Sequence, residues 1–124
     1  MKLTPVLAVE KIEPSLSFWV DRMGFEKTVE VPGDDGASFV ILVKGGAELM
    51  IQTAKSIEVD EPKFAFDPKS RITALFIEVD DFADILKRLE GYSMAMPQRD
   101  TFYGMREVGV FDPFGNIVIF ATQL

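Results

Sequence analysis

The sequence predicts an α+β fold made of two copies of one unit: a strand, a helix and three further strands. Three observations carry that expectation. Two amphipathic helix patterns share the same spacing, each follows a strand-like run, and the halves can be laid over one another. Residues 46–53 (GAELMIQT) match residues 115–122 (GNIVIFAT), and residues 4–9 match residues 74–79. Self-similarity of this kind marks an internal duplication. A four-stranded sheet with a helix on one face leaves its other face bare, so the two halves are expected to combine and shelter those second faces.

The first half opens on LTPVLAV (residues 3–9), read as a strand, and continues into EPSLSFWVDRMGF. There Pro14 suits a first helical position and Gly24 a position just past the end. Leu16, Trp19, Val20 and Met23 fall at i, i+3, i+4 and i+7, one apolar stripe on which Trp19 is read as structural. EKTVEV, SFVILV and AELMIQT follow as strands, separated by the turn sequences GDDG (residues 33–36) and KGG (residues 44–46).

Residues 54–71 carry Pro62, Pro68 and several charges; they read as an irregular surface linker, with a lid over a pocket as the alternative. The second half repeats the pattern. ITALFIEV (residues 72–79) is a strand; Asp81 caps a helix with Phe82, Ile85, Leu86 and Leu89 on its stripe, and Gly91 stops it. A weak strand over residues 92–96, then MREVGVF, the turn DPFGN (residues 112–116) and NIVIFAT complete the unit. One domain is expected, with a first module over about residues 1–54, a linker over about 55–71 and a second module over about 72–124.

Composition narrows the chemistry. The chain has 124 residues, 48% of them hydrophobic, and thirteen Lys and Arg against twenty Asp and Glu, a formal charge of −7. That charge repels nucleic acid and anionic membrane surfaces. Zero Cys removes disulfides, thiolate metal sites and thiol nucleophiles. Zero His removes the commonest transition-metal ligand and the usual general base near neutral pH, so serine-histidine triads are excluded. The opening MKLTPVLAVE does not read as a signal peptide, because Pro5 and Glu10 interrupt its short apolar stretch. Apolar runs such as residues 39–43 fall far short of the ~20 residues a membrane span needs. A soluble, cytoplasmic protein is expected.

The tandem βαβββ pattern, Phe18-Trp19 with Gly24-Phe25 after the first strand, and Tyr103-Gly104-x-Arg106-Glu107 followed by Asp112-Pro113-x-Gly115-Asn116 together resemble the vicinal oxygen chelate superfamily. It includes glyoxalase I, extradiol dioxygenases, fosfomycin-resistance enzymes and bleomycin-resistance proteins. The resemblance covers nearly the whole chain. It implies a cupped mixed sheet around a central cavity, with the helices outside. It also implies four metal-ligand positions, mostly His and Glu in metal-using members; here they fall at Thr4, Met50, Ala74 and Ile119. None of these is a competent ligand for zinc, nickel or iron beyond a weak Thr4 oxygen. No metal and no other cofactor is expected, and the metal-free bleomycin-resistance branch is the nearest analogy.

Strand alternation assigns the cavity wall. Thr4, Val6 and Ala8, then Glu48, Met50 and Gln52, line it from the first half; Ala74, Phe76 and Glu78, then Ile117, Ile119 and Ala121, line it from the second. Among eleven Phe, Phe39, Phe76 and Phe102 are placed nearest the cup together with Tyr103. Arg106 and Glu107 either pair with each other or with neighbours, and the resemblance puts their segment beside a binding groove. The expected function is metal-independent binding of a neutral or cationic, partly aromatic small molecule such as an antibiotic. Pro5 in the first strand suits an edge or exchanged strand in a homodimer. The alternatives are a metal-free enzyme with Glu48, Glu78 or Glu107 as general base and Tyr103 or Arg106 steadying an oxyanion, and a non-catalytic paralogue kept for protein contacts.

Overall fold

The computed structural model describes residues 1–124 and separates into two compact units, Met1–Arg71 and Ile72–Leu124. Each holds one βαβββ repeat. Unit 1 runs β1 (Val6–Val9), α1 (Glu13–Leu16) continued by a wider π-type turn (Ser17–Arg22), β2 (Glu26–Gly33), β3 (Gly36–Lys44) and β4 (Ala47–Thr53). Unit 2 runs β5 (Ala74–Glu78), a helix Phe82–Arg88, β6 (Met94–Asp100), β7 (Met105–Phe111) and β8 (Ile117–Gln123). The sheet orders are β1-β4-β3-β2 and β5-β8-β7-β6. In both, the first strand lies parallel to the last and the other pairings are antiparallel. Register repeats too. Val6 stands opposite Met50 as Phe76 stands opposite Ile119, so the duplication seen in sequence is a duplication of pairing.

One side of each sheet is buried. In unit 1, Leu7, Val9, Val40, Leu42, Leu49 and Ile51 join Ile12, Phe18, Trp19, Met23 and Phe25 in the core; in unit 2, Val108, Val110, Val118 and Phe120 join Phe82, Ile85 and Leu89. The second helix starts where expected, its Asp81 side chain accepting from the Asp84 N–H at 2.9 Å.

The first helix departs from its expected stripe. Ser15, Phe18, Trp19 and Met23 are buried, whereas Leu16 and Val20 are only half-buried. The cause is the π-type turn: the Met23 N–H reaches back five residues to the Phe18 carbonyl at 2.9 Å, and the Phe25 N–H six residues to that of Trp19 at 2.9 Å. Widening the helix rotates each later side chain away from the 3.6-residue period. The irregular linker is also corrected. It opens with α2 (Ala54–Asp60), capped by the Thr53 hydroxyl on the Ser56 N–H at 3.2 Å, and continues through 3₁₀ turns at Pro62–Phe64 and Pro68–Ser70. The helix of unit 2, coming after α2, is accordingly α3. The strand marked weak in the sequence extends over Met94–Asp100, beyond residues 92–96, because pairing with β7 carries it through two irregularities.

Glu13 ties the helix end of unit 1 to the β2–β3 hairpin. Its Oε1 accepts from the Ala37 N–H at 3.0 Å, and Gly36, with φ of 93°, leaves the carboxylate room that an added Cβ would fill. Backbone N–H groups of Glu13 itself and Ala37 hold the carboxyl below its ordinary value of 4.5. A carboxyl depressed in the folded state stabilises the fold above its unfolded pKa and loses that contribution as pH falls through the folded one. Thermal stability is therefore expected to decline below about pH 4.5, and a melting series across pH 3–6 should decline less in Glu13→Gln than in the parent. An equal acid slope in both would remove Glu13 from the account.

Candidate functional site

Pairing determines which side chains share a face, because alternate residues point to opposite sides of a sheet. On the open face of unit 1, Val6 and Met50 stand side by side with Ile41, and Ala8 and Gln52 with Phe39. All are half-buried except the more exposed Val6. Gln52 donates from Nε2 to the Ser56 hydroxyl at 3.1 Å. Glu48 closes this row. Its Oε2 accepts from Lys2 Nζ at 2.9 Å and its Oε1 from the Thr4 hydroxyl at 3.3 Å. The Lys2 hydrogen bond, against partial desolvation, holds the carboxyl below the usual carboxylate range. Thr4, expected on the first strand, lies two residues before it and meets Glu48 rather than Met50.

On the open face of unit 2, Ala74, Phe76 and Glu78 of β5 stand opposite Ile117, Ile119 and Ala121 of β8. Next come Phe111, Gly109 and Glu107 of β7, and then Met96 and Arg99 of β6. Phe76 and Glu78 are exposed and Ile119 half-buried. Gly109 is required by close approach: a Cβ there would lie 3.0 Å from the Cβ of Met96.

Glu107 is fully buried, yet both of its carboxyl oxygens are hydrogen-bonded. Arg99 donates to its Oε2 from Nη2 at 3.1 Å and from Nε at 3.3 Å, and the Tyr103 hydroxyl donates to its Oε1. Tyr103 and Phe102 sit in the β6–β7 loop with rings edge-to-face at 5.1 Å; Phe102 is fully exposed and Tyr103 about half. The buried carboxylate thus anchors an aromatic loop. Arg106 points to the opposite face of β7, in a two-pronged pair with Asp100 at 2.8 and 3.0 Å that lowers the Asp100 pKa. Arg106 and Glu107, neighbours in sequence, therefore serve different sides of the sheet.

Arg99 was not among the sequence-derived candidates; counting outward from the Thr101–Gly104 turn, with Asp100 opposite Arg106, would have put it opposite Glu107. Glu107→Gln keeps the volume but replaces charge-assisted bonds, and is expected to cost about 1.5–3 kcal/mol by chemical denaturation, within the range for hydrogen bonds to charged groups. A loss near zero would show that Arg99 and Tyr103 hold the loop without it.

The expected contact residues thus fall into three groups: Thr4, Phe39, Glu48, Met50 and Gln52 on unit 1; Ala74, Phe76, Glu78, Glu107 and Ile119 with Phe102 and Tyr103 on unit 2; and Arg106 on the opposite face of β7. A half-open groove of about 640 Å³ in unit 1, lined by residues such as Lys11, Asp34, Ser38, Lys55 and Asp60, includes none of them. No three acidic side chains gather in a geometry that could hold a metal ion. The donor set at the four chelate positions, one hydroxyl, one thioether and two hydrocarbon side chains, does not fit a catalytic divalent metal. No helix is long and apolar enough to cross a membrane.

Two βαβββ units, each with a helix-covered and an open sheet face, define an α+β fold. The chain belongs to the Glyoxalase/Bleomycin resistance protein/Dioxygenase superfamily, whose family model matches residues 3–120. Among solved structures it resembles TioX from Micromonospora sp. ML1 (20% identity, TM-score 0.80, covering 100% of this chain and 99% of that one). It also resembles a lactoylglutathione lyase from Agrobacterium tumefaciens (19%, 0.74, 98% and 92%) and a bleomycin-binding protein complexed with bleomycin (16%, 0.71, 100% and 99%). These likenesses show the fold. No functionally curated protein matches the chain in sequence.

Proposed function

We propose that this protein binds a neutral or cationic, partly aromatic small molecule on its open sheet faces, without a metal and without chemistry, in the manner of an antibiotic-sequestering protein. The observation that carries this reading is the residue set at the four positions the resemblance assigns to metal ligands, Thr4 just before β1 and Met50, Ala74 and Ile119 on β4, β5 and β8, beside open faces that mix apolar, aromatic and acidic groups. Such a mixture suits a ligand surface better than a sealed core. Phe39, Phe76, Phe102 and Tyr103 supply stacking surface, and Glu48 and Glu78 supply negative charge; the net charge of −7 favours encounter with a cation. The bleomycin-binding neighbour lends the analogy.

Binding is favoured over proton abstraction because, of the candidate bases, Glu107 is buried and engaged by Arg99 and Tyr103 and Glu48 is engaged by Lys2 and Thr4, while Arg106, one of the two candidate oxyanion partners, is engaged by Asp100 on the other face. We also place the protein in the cytoplasm, and as a homodimer in which Pro5 marks the end of an edge strand. Sedimentation would test the dimer. Calorimetric titration with bleomycin, glycopeptide antibiotics and a panel of aromatic cations is expected to give micromolar or tighter binding to at least one. Silence across the whole panel would end the reading.

A further inference from the structure

Lys2 stands outside the strand that follows it. The segment before β1 is joined to the sheet through the Pro5 carbonyl, which accepts from the Met50 N–H at 3.0 Å, and through the Lys2 and Thr4 side chains on Glu48. The two partners of the ion pair differ in setting. The Lys2 side chain is 70% exposed and that of Glu48 only 23%, so an exposed ammonium rests on a carboxylate held mostly out of water. A partly covered carboxylate beside apolar Val6 and Met50 favours a cation nearby, whereas an exposed lysine is weakly held there.

We propose that Glu48 and Thr4 form an ammonium subsite on the open face of unit 1, which Lys2 fills in the free protein as a tethered competitor and yields to an amine-bearing aromatic ligand. This rests on the binding reading above. A tether keeps the competing ammonium at a local concentration of roughly millimolar, so weak amines are turned away. An amine whose ring also covers Val6 and Met50 gains apolar contact that the exposed Lys2 stem does not make. Lys2 thereby sets the charge selectivity of the face: neutral ligands need not displace it, and cationic ones must.

The probes are benzylammonium and benzyl alcohol, which share the ring and differ in charge, followed by NMR on the full labelled chain. Lys2→Met is expected to bind benzylammonium about two- to fivefold more tightly with benzyl alcohol unchanged, and Glu48→Gln to lose the preference for the amine. Without any probe, Glu48→Gln should shift the Lys2 side-chain signals. Equal affinity of parent and Lys2→Met, a gain for both probes alike, or Lys2 signals indifferent to Glu48→Gln would each overturn the subsite. If probes or panel ligands shift only the open face of unit 2, the subsite falls and the binding reading stands; if nothing binds either face, both fall.

Discussion

Trp19→Ala is expected to lower stability by about 3–5 kcal/mol, the range for truncating a buried large aromatic. The indole is completely buried, edge-to-face with Phe18 at 5.0 Å and with Phe25 at 5.2 Å, and its position is set by the π-type turn that brings Phe18, Trp19 and Met23 to the core together. Alanine would leave a cavity bounded by rings that the widened turn cannot easily move. Small domains have only about 5–15 kcal/mol of stability, so a loss of this size approaches unfolding at physiological temperature. Trp19 is the sole tryptophan, so the transition should be followed by far-UV circular dichroism rather than fluorescence. Trp19→Phe is expected to cost less than half as much. It keeps a ring for Phe18 and Phe25 and removes an indole N–H that is buried without a partner. Similar losses in the two variants would mean that ring packing is not what this site contributes.

Asp112→Ala is expected to cost about 3–4 kcal/mol, for a different reason: unsatisfied donors instead of lost volume. The nearly buried Asp112 accepts at Oδ1 from the N–H groups of Phe114 at 3.0 Å and Asn116 at 2.9 Å, and at Oδ2 from Asn116 Nδ2 at 2.9 Å. Asn116 in turn accepts from the Thr73 N–H at 3.0 Å, so the β7–β8 turn also determines where β5 begins. Losing the carboxylate should loosen Ile117 and Ala74 together. Hydrogen exchange is expected to speed up at the Asn116 and Thr73 amides while the β3 and β4 amides of unit 1 keep their protection. Exchange rising uniformly through both units would show a global loss and no special role for the turn.

The turn illustrates how far local reading reaches. Asp-Pro-x-Gly-Asn announced a reversal from its own residue types, as did Asp81 before its helix and Gly-Gly at residues 45–46, because caps and turns are made by groups a few residues apart. Alternation along GAELMIQT and GNIVIFAT separated Leu49, Ile51, Val118 and Phe120 on the buried side from Glu48, Met50, Gln52, Ile117 and Ile119 on the other, but Ala121, placed with the latter, is fully buried as well. Periodicity failed at Leu16 and Val20, where a helix no longer 3.6 residues per turn invalidates the ruler. It also missed α2, whose seven residues carry too few apolar positions to form a stripe.

Patterning within short stretches was therefore sufficient for the repeat, the resemblance to the family and the covered face of each sheet. All of these depend on residue identity and spacing along the chain. The partners of individual charges depend on register. Arg99 with Glu107 and Asp100 with Arg106 face each other across the β6–β7 hairpin, where the position of the turn selects them, whereas Lys2 with Glu48, 46 residues apart, is chosen by the path of the chain before β1. A shift of one residue would exchange the faces of Arg106 and Glu107 while leaving the composition of their strand untouched. The chemistry of the open faces thus depends on register, which the burial of the opposite faces specifies.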